Sequence, residues 1–375
     1  MINVFQPSLG AEELAAVGRV FESNWLGKGK VTGRFEAAFA EHLGVRRELL
    51  RSANSCSEGL FLSVKLAGAG PGDEVVMPSI SFVASATAAV SRGARPVFCD
   101  VDPRTLNATA ETIAACLTPK TRAVVLLHYG GLPADMDPIV QLLEPRGITL
   151  IEDSACSVAS VYRGRACGTL GDIGVWSFGP AKILVTGDGG MVYTRDEEMA
   201  ARVELELYLG LDSQSGLSNT SATRWWEFEV ACDGRRGVTN DICSAIGLEQ
   251  MGKLPGFLER RRQVDEFYRR ELAAIDWLVL PPEVPADCRS SYFFHWIQVT
   301  GEGRRDRLAA HLRVRGIYTT FRYHPLHRVA YYSHSGRALP QTDRAAEETL
   351  LLPLHQALSD SDLDQILDGI RSFKA

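Results

Sequence analysis

Lys182 closes the segment Trp176-Ser177-Phe178-Gly179-Pro180-Ala181-Lys182, just ahead of the glycine-rich turn Thr186-Gly187-Asp188-Gly189-Gly190-Met191-Val192. A single lysine between an apolar run and glycines suits an amine held at the rim of a site. Such an amine can shed its proton and attack a carbonyl, as a Schiff-base lysine does. Upstream, Ile148-Thr149-Leu150-Ile151-Glu152-Asp153 reads as a buried strand ending in two carboxylates. A lysine and a strand-end aspartate are the smallest set of groups that can hold pyridoxal phosphate. Each residue alone has an ordinary reading, because lysines are seldom buried and strand-end carboxylates commonly serve turns.

The surrounding pattern supplies the elements that must position them. Short apolar runs occur at 74–77, 96–99, 123–127, 148–151 and 173–178, and helix-length segments at 57–67, 81–92, 109–117 and 135–146 separate most of them. Nearly all-apolar strands alternating with helices predict an α/β fold with a mostly parallel central sheet covered on both faces. Ligands of such sheets bind beyond the carboxyl ends of the strands, an edge that here carries Asp100, Asp102, His128, Asp153 and Ser177.

Two amphipathic helices precede the sheet. Leu14, Val17 and Phe21 form one apolar face, and Phe35, Ala38, Phe39 and Leu43 the other, with Thr32 as its N-cap. The loop Asn24-Trp25-Leu26-Gly27-Lys28-Gly29-Lys30 joins them. After Leu209 come a polar stretch at 210–219, the segment Arg224-Trp225-Trp226-Glu227-Phe228, a helix starting near Asp241 and a longer one over 255–273. A proline-rich connector at 280–285 leads to strands at 292–299 and 317–321 and helices at 304–315, 342–349 and 360–372. This organisation predicts a large domain over 1–254 and a smaller α+β domain over 255–375.

Composition narrows the class. An apolar fraction of 45 % over 375 residues supports a large soluble core, and a net charge of −6 spread along the chain leaves no nucleic-acid footprint. Basic residues cluster at 260–262 and 269–270, on a helix whose apolar face is Phe257, Val264, Tyr268 and Leu272. Arg262, Arg269 and Arg270 point off that face, so the cluster reads as solvated surface. Eight cysteines lack paired spacing, and eight histidines lack metal-ligand spacing. The first residues lack the basic and apolar regions of a signal peptide, and no apolar run reaches the length of a membrane span. The expectation is a reduced, cytoplasmic protein without a metal.

The order of the motifs is more specific than any one of them. Gly70-Pro71-Gly72-Asp73-Glu74-Val75, Gly93-Ala94-Arg95-Pro96-Val97-Phe98, Asp100-Val101-Asp102, His128-Tyr129-Gly130-Gly131, Asp135-Met136-Asp137, Ile151-Glu152-Asp153, Ser177-Phe178 with Lys182, Gly187-Asp188-Gly189-Gly190 and Pro325-Leu326-His327 follow one another nearly end to end. In these the chain resembles the DegT/DnrJ/EryC1/StrS sugar aminotransferases, pyridoxal-phosphate enzymes of the aspartate-aminotransferase fold (fold type I).

The resemblance implies roles. Lys182 would carry pyridoxal 5'-phosphate as an imine and move protons once freed, with pyridoxamine 5'-phosphate as the aminated form of the cofactor. Asp153 would pair with the pyridinium nitrogen. Cys56 and Ser57, where the family has Gly-Thr, would cradle the phosphate at a helix N-terminus together with Ser177. Phe82 would stack on the ring. Cys156 stands where the family places His or Gln beside the ring hydroxyl, and Gly179 replaces a histidine-like residue. Within Gly234-Arg235-Arg236-Gly237-Val238-Thr239-Asn240-Asp241-Ile242, Val238 occupies the position from which a partner subunit donates a polar group, leaving Arg236 or Asn240 to substitute. Trp25, Lys28, His128, Arg322, Tyr323 and His327 would meet the substrate, with Arg224, Arg236 and Arg322 eligible for the donor carboxylate.

The implied enzyme is a homodimer with sites at its interface. It moves an amino group from an amino acid, L-glutamate first, to a ketone of a nucleotide-activated deoxysugar. A free keto-cyclitol or other natural-product ketone as acceptor, and a non-catalytic cofactor-binding protein, are the alternatives. A dehydratase of this kind has histidine in place of the lysine, so Lys182 argues against it. A dinucleotide reading of Gly187-Asp188-Gly189-Gly190 fails on spacing.

Overall fold

The computed structural model describes residues 1–211, 228–332 and 336–374. Its centre is a seven-stranded sheet built from β1 (Leu50–Ala53), β2 (Glu74–Pro78), β3 (Arg95–Cys99), β4 (Thr121–Leu127), β5 (Thr149–Asp153), β8 (Ile173–Ser177) and β9 (Gly190–Thr194), with the short β6 (Val161–Tyr162) and β7 (Arg165–Ala166) in a small side sheet. The order across the sheet is 1-9-8-5-4-2-3, and β9 alone runs antiparallel to its neighbours. Val75, Val76, Met77, Val124, Leu126, Ile151 and Val175 are all fully buried, because helices cover both faces.

These helices include α1 (Ala11–Glu22), α2 (Lys30–Leu43), α3 (Cys56–Leu66), α4 (Val83–Ser91), α5 (Ala110–Ala114), α6 (Met136–Leu143) and α7 (Glu197–Leu207). The 32-residue α8 (Asp241–Leu272) then leads to a three-stranded sheet of β10 (Leu278–Val279), β12 (His295–Val299) and β13 (Thr349–Leu352), flanked by α9 (Arg304–Val314), α10 (Pro340–Glu348) and α11 (Asp360–Arg371). The two-residue β11 (Cys288–Arg289) returns to pair with β6 in the side sheet. Among the described residues no helix is long and apolar enough to cross a membrane.

Several expectations are corrected. The helices expected from 241 and from 255 are one helix with Pro255 inside it, so a division at 254/255 falls within a continuous rod. Proline deletes one backbone hydrogen bond there. Burial of Leu254, Val264, Tyr268 and Leu272 along the same helix outweighs that loss. Thr32 is not the N-cap of α2. Gly29 holds that position, and the buried carboxylate of Asp241 does the capping, accepting from the backbone N–H groups of Gly29 (2.9 Å), Val31 (3.2 Å) and Thr32 (2.9 Å) and from the Thr32 hydroxyl (2.7 Å).

In α1 the buried face is Glu13, Ala16 and Val20, while Leu14 and Phe21 are exposed. The strand expected at 317–321 is reduced to isolated bridges at Ile317 and Thr320, and the paired strand is β13. Arg261 is no surface residue. It is 1 % exposed and donates to the carbonyls of Tyr292 and Leu354, at 3.1 Å each. The segment at 224–227, with Arg224, lies outside the described residues.

Candidate active site

β1, β2, β5 and β8 end on one edge of the sheet, and a cavity of about 320 Å³ opens beyond them. Its wall includes Ser55, Cys56, Ser57, Phe82, Asp153, Ser177, Lys182, Asp188, Arg322 and Tyr323. Sequence reasoning placed Asp153 and Lys182 together, and the fold does bring them to the same cavity.

Lys182 is held by its turn. The Phe178 N–H donates to the Gly189 carbonyl (2.9 Å), the Thr186 N–H to the Phe178 carbonyl (2.9 Å) and the Lys182 N–H to the Gly179 carbonyl (3.0 Å). The rings of Phe39, Trp176 and Phe178 lock the preceding strand edge-to-face, with Phe39 centred 5.5 Å from Trp176 and 5.3 Å from Phe178. The Lys182 ammonium lies 4.9 Å from the centre of the Phe293 ring, a cation–π contact. Phe293 was missed from sequence. It belongs to the run Ser290-Ser291-Tyr292-Phe293-Phe294, which reads simply as the start of a strand.

Asp153 is 1 % exposed, and the Ala155 N–H donates to its Oδ1 at 3.1 Å. Burial pushes its carboxyl above the usual range, while the nearby Lys182 charge and the Ala155 N–H oppose that rise. A carboxylate in this setting gains most from a second cation. A protonated pyridine nitrogen is such a partner, so the donor set fits the group that the sequence suggested.

The N-terminus of α3 forms another part of the cavity wall. Ser55 caps it, accepting from the Glu58 N–H at 3.1 Å, which leaves the first-turn amides at Cys56 and Ser57 facing the cavity edge. Gly190 allows this approach. A Cβ there would lie 2.6 Å from the Cys56 nitrogen. Phe82, at the N-cap of α4, is 47 % exposed along the wall rather than buried in the core.

Seven expected site residues do not line the cavity of their own chain. His128 is fully buried. The Ala134 N–H donates to its Nδ1 (3.1 Å), so Nε2 carries the proton and donates to Glu152 (2.9 Å), and neither nitrogen is free for substrate. Glu152 also accepts from the N–H groups of Gly168 (2.7 Å), Leu170 (2.7 Å) and Gly171 (2.5 Å), fixing the strand end that presents Asp153. Glu152→Ala strands these buried donors and should lower stability by about 3 kcal/mol or more in urea unfolding. A loss under about 1 kcal/mol would show that water satisfies them.

His327 is likewise committed, to the Ser79 hydroxyl (2.7 Å) and to Asp343 (3.1 Å). It ties α10 to the segment that carries Phe82. Trp25 donates to the Lys28 carbonyl (3.1 Å), and Lys28 pairs with Glu204 on α7 (3.5 Å). Arg236 lies over the Tyr208 ring, and the Asn240 carboxamide oxygen caps α8 by accepting from the Cys243 N–H (2.9 Å). Cys156 is 1 % exposed behind Tyr323 instead of facing the cavity. Asp100 and Asp102 serve the fold, accepting from the N–H groups of Thr342 (2.7 Å) and Thr105 (2.7 Å).

A mostly parallel sheet with a lysine and a buried aspartate in the cavity at its carboxyl edge defines a class, that of α/β proteins built to work through a lysine imine. Comparison with known proteins gives the family. The model of the DegT/DnrJ/EryC1/StrS aminotransferase family matches residues 7–371. The chain is 49 % identical over 369 residues, 98 % of its length and 95 % of the relative's, to the dTDP-4-dehydro-2,3,6-trideoxy-D-glucose 4-aminotransferase of Saccharopolyspora spinosa. It is 56 % identical to the aminotransferase TlmJ from Streptoalloteichus hindustanus, with a TM-score of 0.94 over 99 % of this chain and 98 % of that one. It is 28 % identical to the sugar aminotransferase CalS13 from Micromonospora echinospora, with a TM-score of 0.91 over 99 % and 100 %. The chain belongs to the DegT/DnrJ/EryC1/StrS aminotransferase family, and it is an aminotransferase.

Proposed function

We propose that the cavity at Lys182 holds pyridoxal phosphate, and that the chain moves an amino group from L-glutamate to the keto group of a nucleotide-activated deoxysugar. The observation that carries this reading is the meeting of Lys182 and buried Asp153 in one cavity. The near full-length likeness to an enzyme named for a dTDP-linked keto-sugar supports the acceptor class.

Pyridoxal phosphate bound there supplies an electron sink for the carbon that loses a proton. The chain's own groups do the rest. Asp153 holds a proton on the pyridine nitrogen. The α3 N-terminus, with the hydroxyls of Ser57 and Ser177, holds the phosphate. Phe82 covers a ring face and excludes water. Lys182 Nζ would be the base that takes the proton from the donor's α-carbon and the acid that returns one to the acceptor carbon.

Arg322 lines the cavity with its guanidinium 4.5 Å from the centre of the Phe5 ring, which suits it to a carboxylate or a diphosphate. Arg322→Ala should raise KM about tenfold for one substrate, a loss of about 1.4 kcal/mol, while cofactor absorbance stays unchanged. Unchanged KM values for both donor and acceptor would assign that role elsewhere.

We assign the active unit to a homodimer. Phe21, Trp25, Phe228 and Val230 are exposed apolar groups on the described surface, as an interface between two copies requires. The eight cysteines are unpaired and suit a reducing compartment, so we place the enzyme in the cytoplasm. The deciding experiment incubates the protein with glutamate or glutamine and a panel of nucleotide-linked keto-sugars and free keto-cyclitols. Amination of a nucleotide-linked ketone is expected. Turnover confined to cyclitols, or none, would overturn the reading.

A further inference from the structure

Tyr323 and Cys156 present an unbalanced hydrogen bond at the cavity wall. The Tyr323 hydroxyl lies 3.7 Å from Cys156 Sγ. Cys156 is buried behind it, while Tyr323 itself lines the cavity. Burial, with Cys156 and Asp153 nearby, holds the phenol well above its ordinary range, and burial also raises the Cys156 thiol. The hydroxyl therefore keeps its proton. A thiol sulfur is a weak acceptor for it, so a strong donor at the wall is left under-used. The ring of Tyr323 is braced by Phe82, whose centre is 5.9 Å away, and by Phe294 at 6.3 Å.

The covalent order of the cofactor then limits what this donor can meet. With its ring nitrogen on Asp153 and its aldehyde carbon on Lys182, one ring edge carries the phosphate arm and the other the hydroxyl. The α3 N-terminus takes the phosphate edge. The hydroxyl edge would then be left to the wall that Tyr323 lines, with Cys156 Sγ 3.7 Å behind its hydroxyl. We infer that the Tyr323 hydroxyl, backed by Cys156, donates the hydrogen bond to the ring oxygen of the cofactor. This rests on the reading that the cavity holds pyridoxal phosphate. It makes Tyr323 a positioning residue with an electrostatic duty. Its donation stabilises the oxygen as an anion and lowers that oxygen's pull on the proton of the neighbouring nitrogen, the one Lys182 contributes.

The test is a pH titration of visible absorbance on cofactor-loaded protein, with no turnover involved. Tyr323→Phe keeps the ring contacts and removes only the donor, so the midpoint of the visible band should move up by about one pH unit, a tenfold gain in proton affinity. Cys156→Ala should leave the midpoint within about 0.3 unit, and Cys156→His added to Tyr323→Phe should bring it back down, because it restores a donor. A Tyr323→Phe midpoint equal to the parent's would overturn the inference while the cofactor reading stands. So would an equal shift from Cys156→Ala alone, which would assign the contact to the thiol. Absence of any visible band in the parent protein would instead overturn the cofactor reading and the inference with it.

Discussion

Lys182→Ala should cut turnover by at least about 10⁴-fold, the scale expected when one amine both anchors the reactive group and moves the proton. The amine sits in a turn fixed by three backbone hydrogen bonds and lies against the Phe293 ring, so no other described lysine shares its place at the cavity. Borohydride reduction should fix cofactor on the parent peptide that contains Lys182 and leave the variant unlabelled. Cofactor should still bind the variant, because the helix N-terminus and Asp153 remain. A variant that turns over at the parent rate would refute the assignment.

Asp153→Asn should bind cofactor and lose roughly 10³-fold in rate, about 4 kcal/mol of transition-state stabilisation. The amide keeps the shape but cannot hold a proton on the pyridine nitrogen. The same substitution carries an opposite effect on stability. Burial raises the Asp153 carboxyl, so the native state holds that proton more tightly than the unfolded chain does. Stability from this group is present at acid pH and is lost as pH rises from the ordinary carboxylate range through the raised one. At neutral pH the cofactor-free variant should therefore melt above the cofactor-free parent, and saturating cofactor should reverse the order. A rate within threefold of the parent would remove Asp153 from the chemistry. An unchanged cofactor-free melting temperature would show that nearby charges already offset the burial.

Much of the candidate site was legible because its parts are local. A strand ending in Glu152-Asp153, a turn ending in Lys182 and a serine-bounded helix start at Ser55 are each written in a few consecutive residues. Their side chains point where the local backbone aims them. The strands were legible for the same reason, since burial on both faces leaves nearly uninterrupted apolar runs. The misplaced residues depend on long-range partners. His128 reads as a polar group at a strand edge until Glu152 and the Ala134 N–H claim both of its nitrogens. His327 reads as a substrate contact until Ser79 and Asp343 engage it.

Sequence by itself thus determined the sheet, the edge beyond which the cavity opens, and the lysine and aspartate that line it. Hydrophobic periodicity and turn chemistry act over a few residues, and that is enough to set an element and aim its last side chain. Only the tertiary structure decided which polar groups remain free. A buried donor or acceptor takes whatever partner packing brings near it, however distant in the chain. Asp241 therefore caps α2 from 209 residues away, and Phe293 lies against Lys182. For the same reason Tyr323, and not Cys156, faces the cavity.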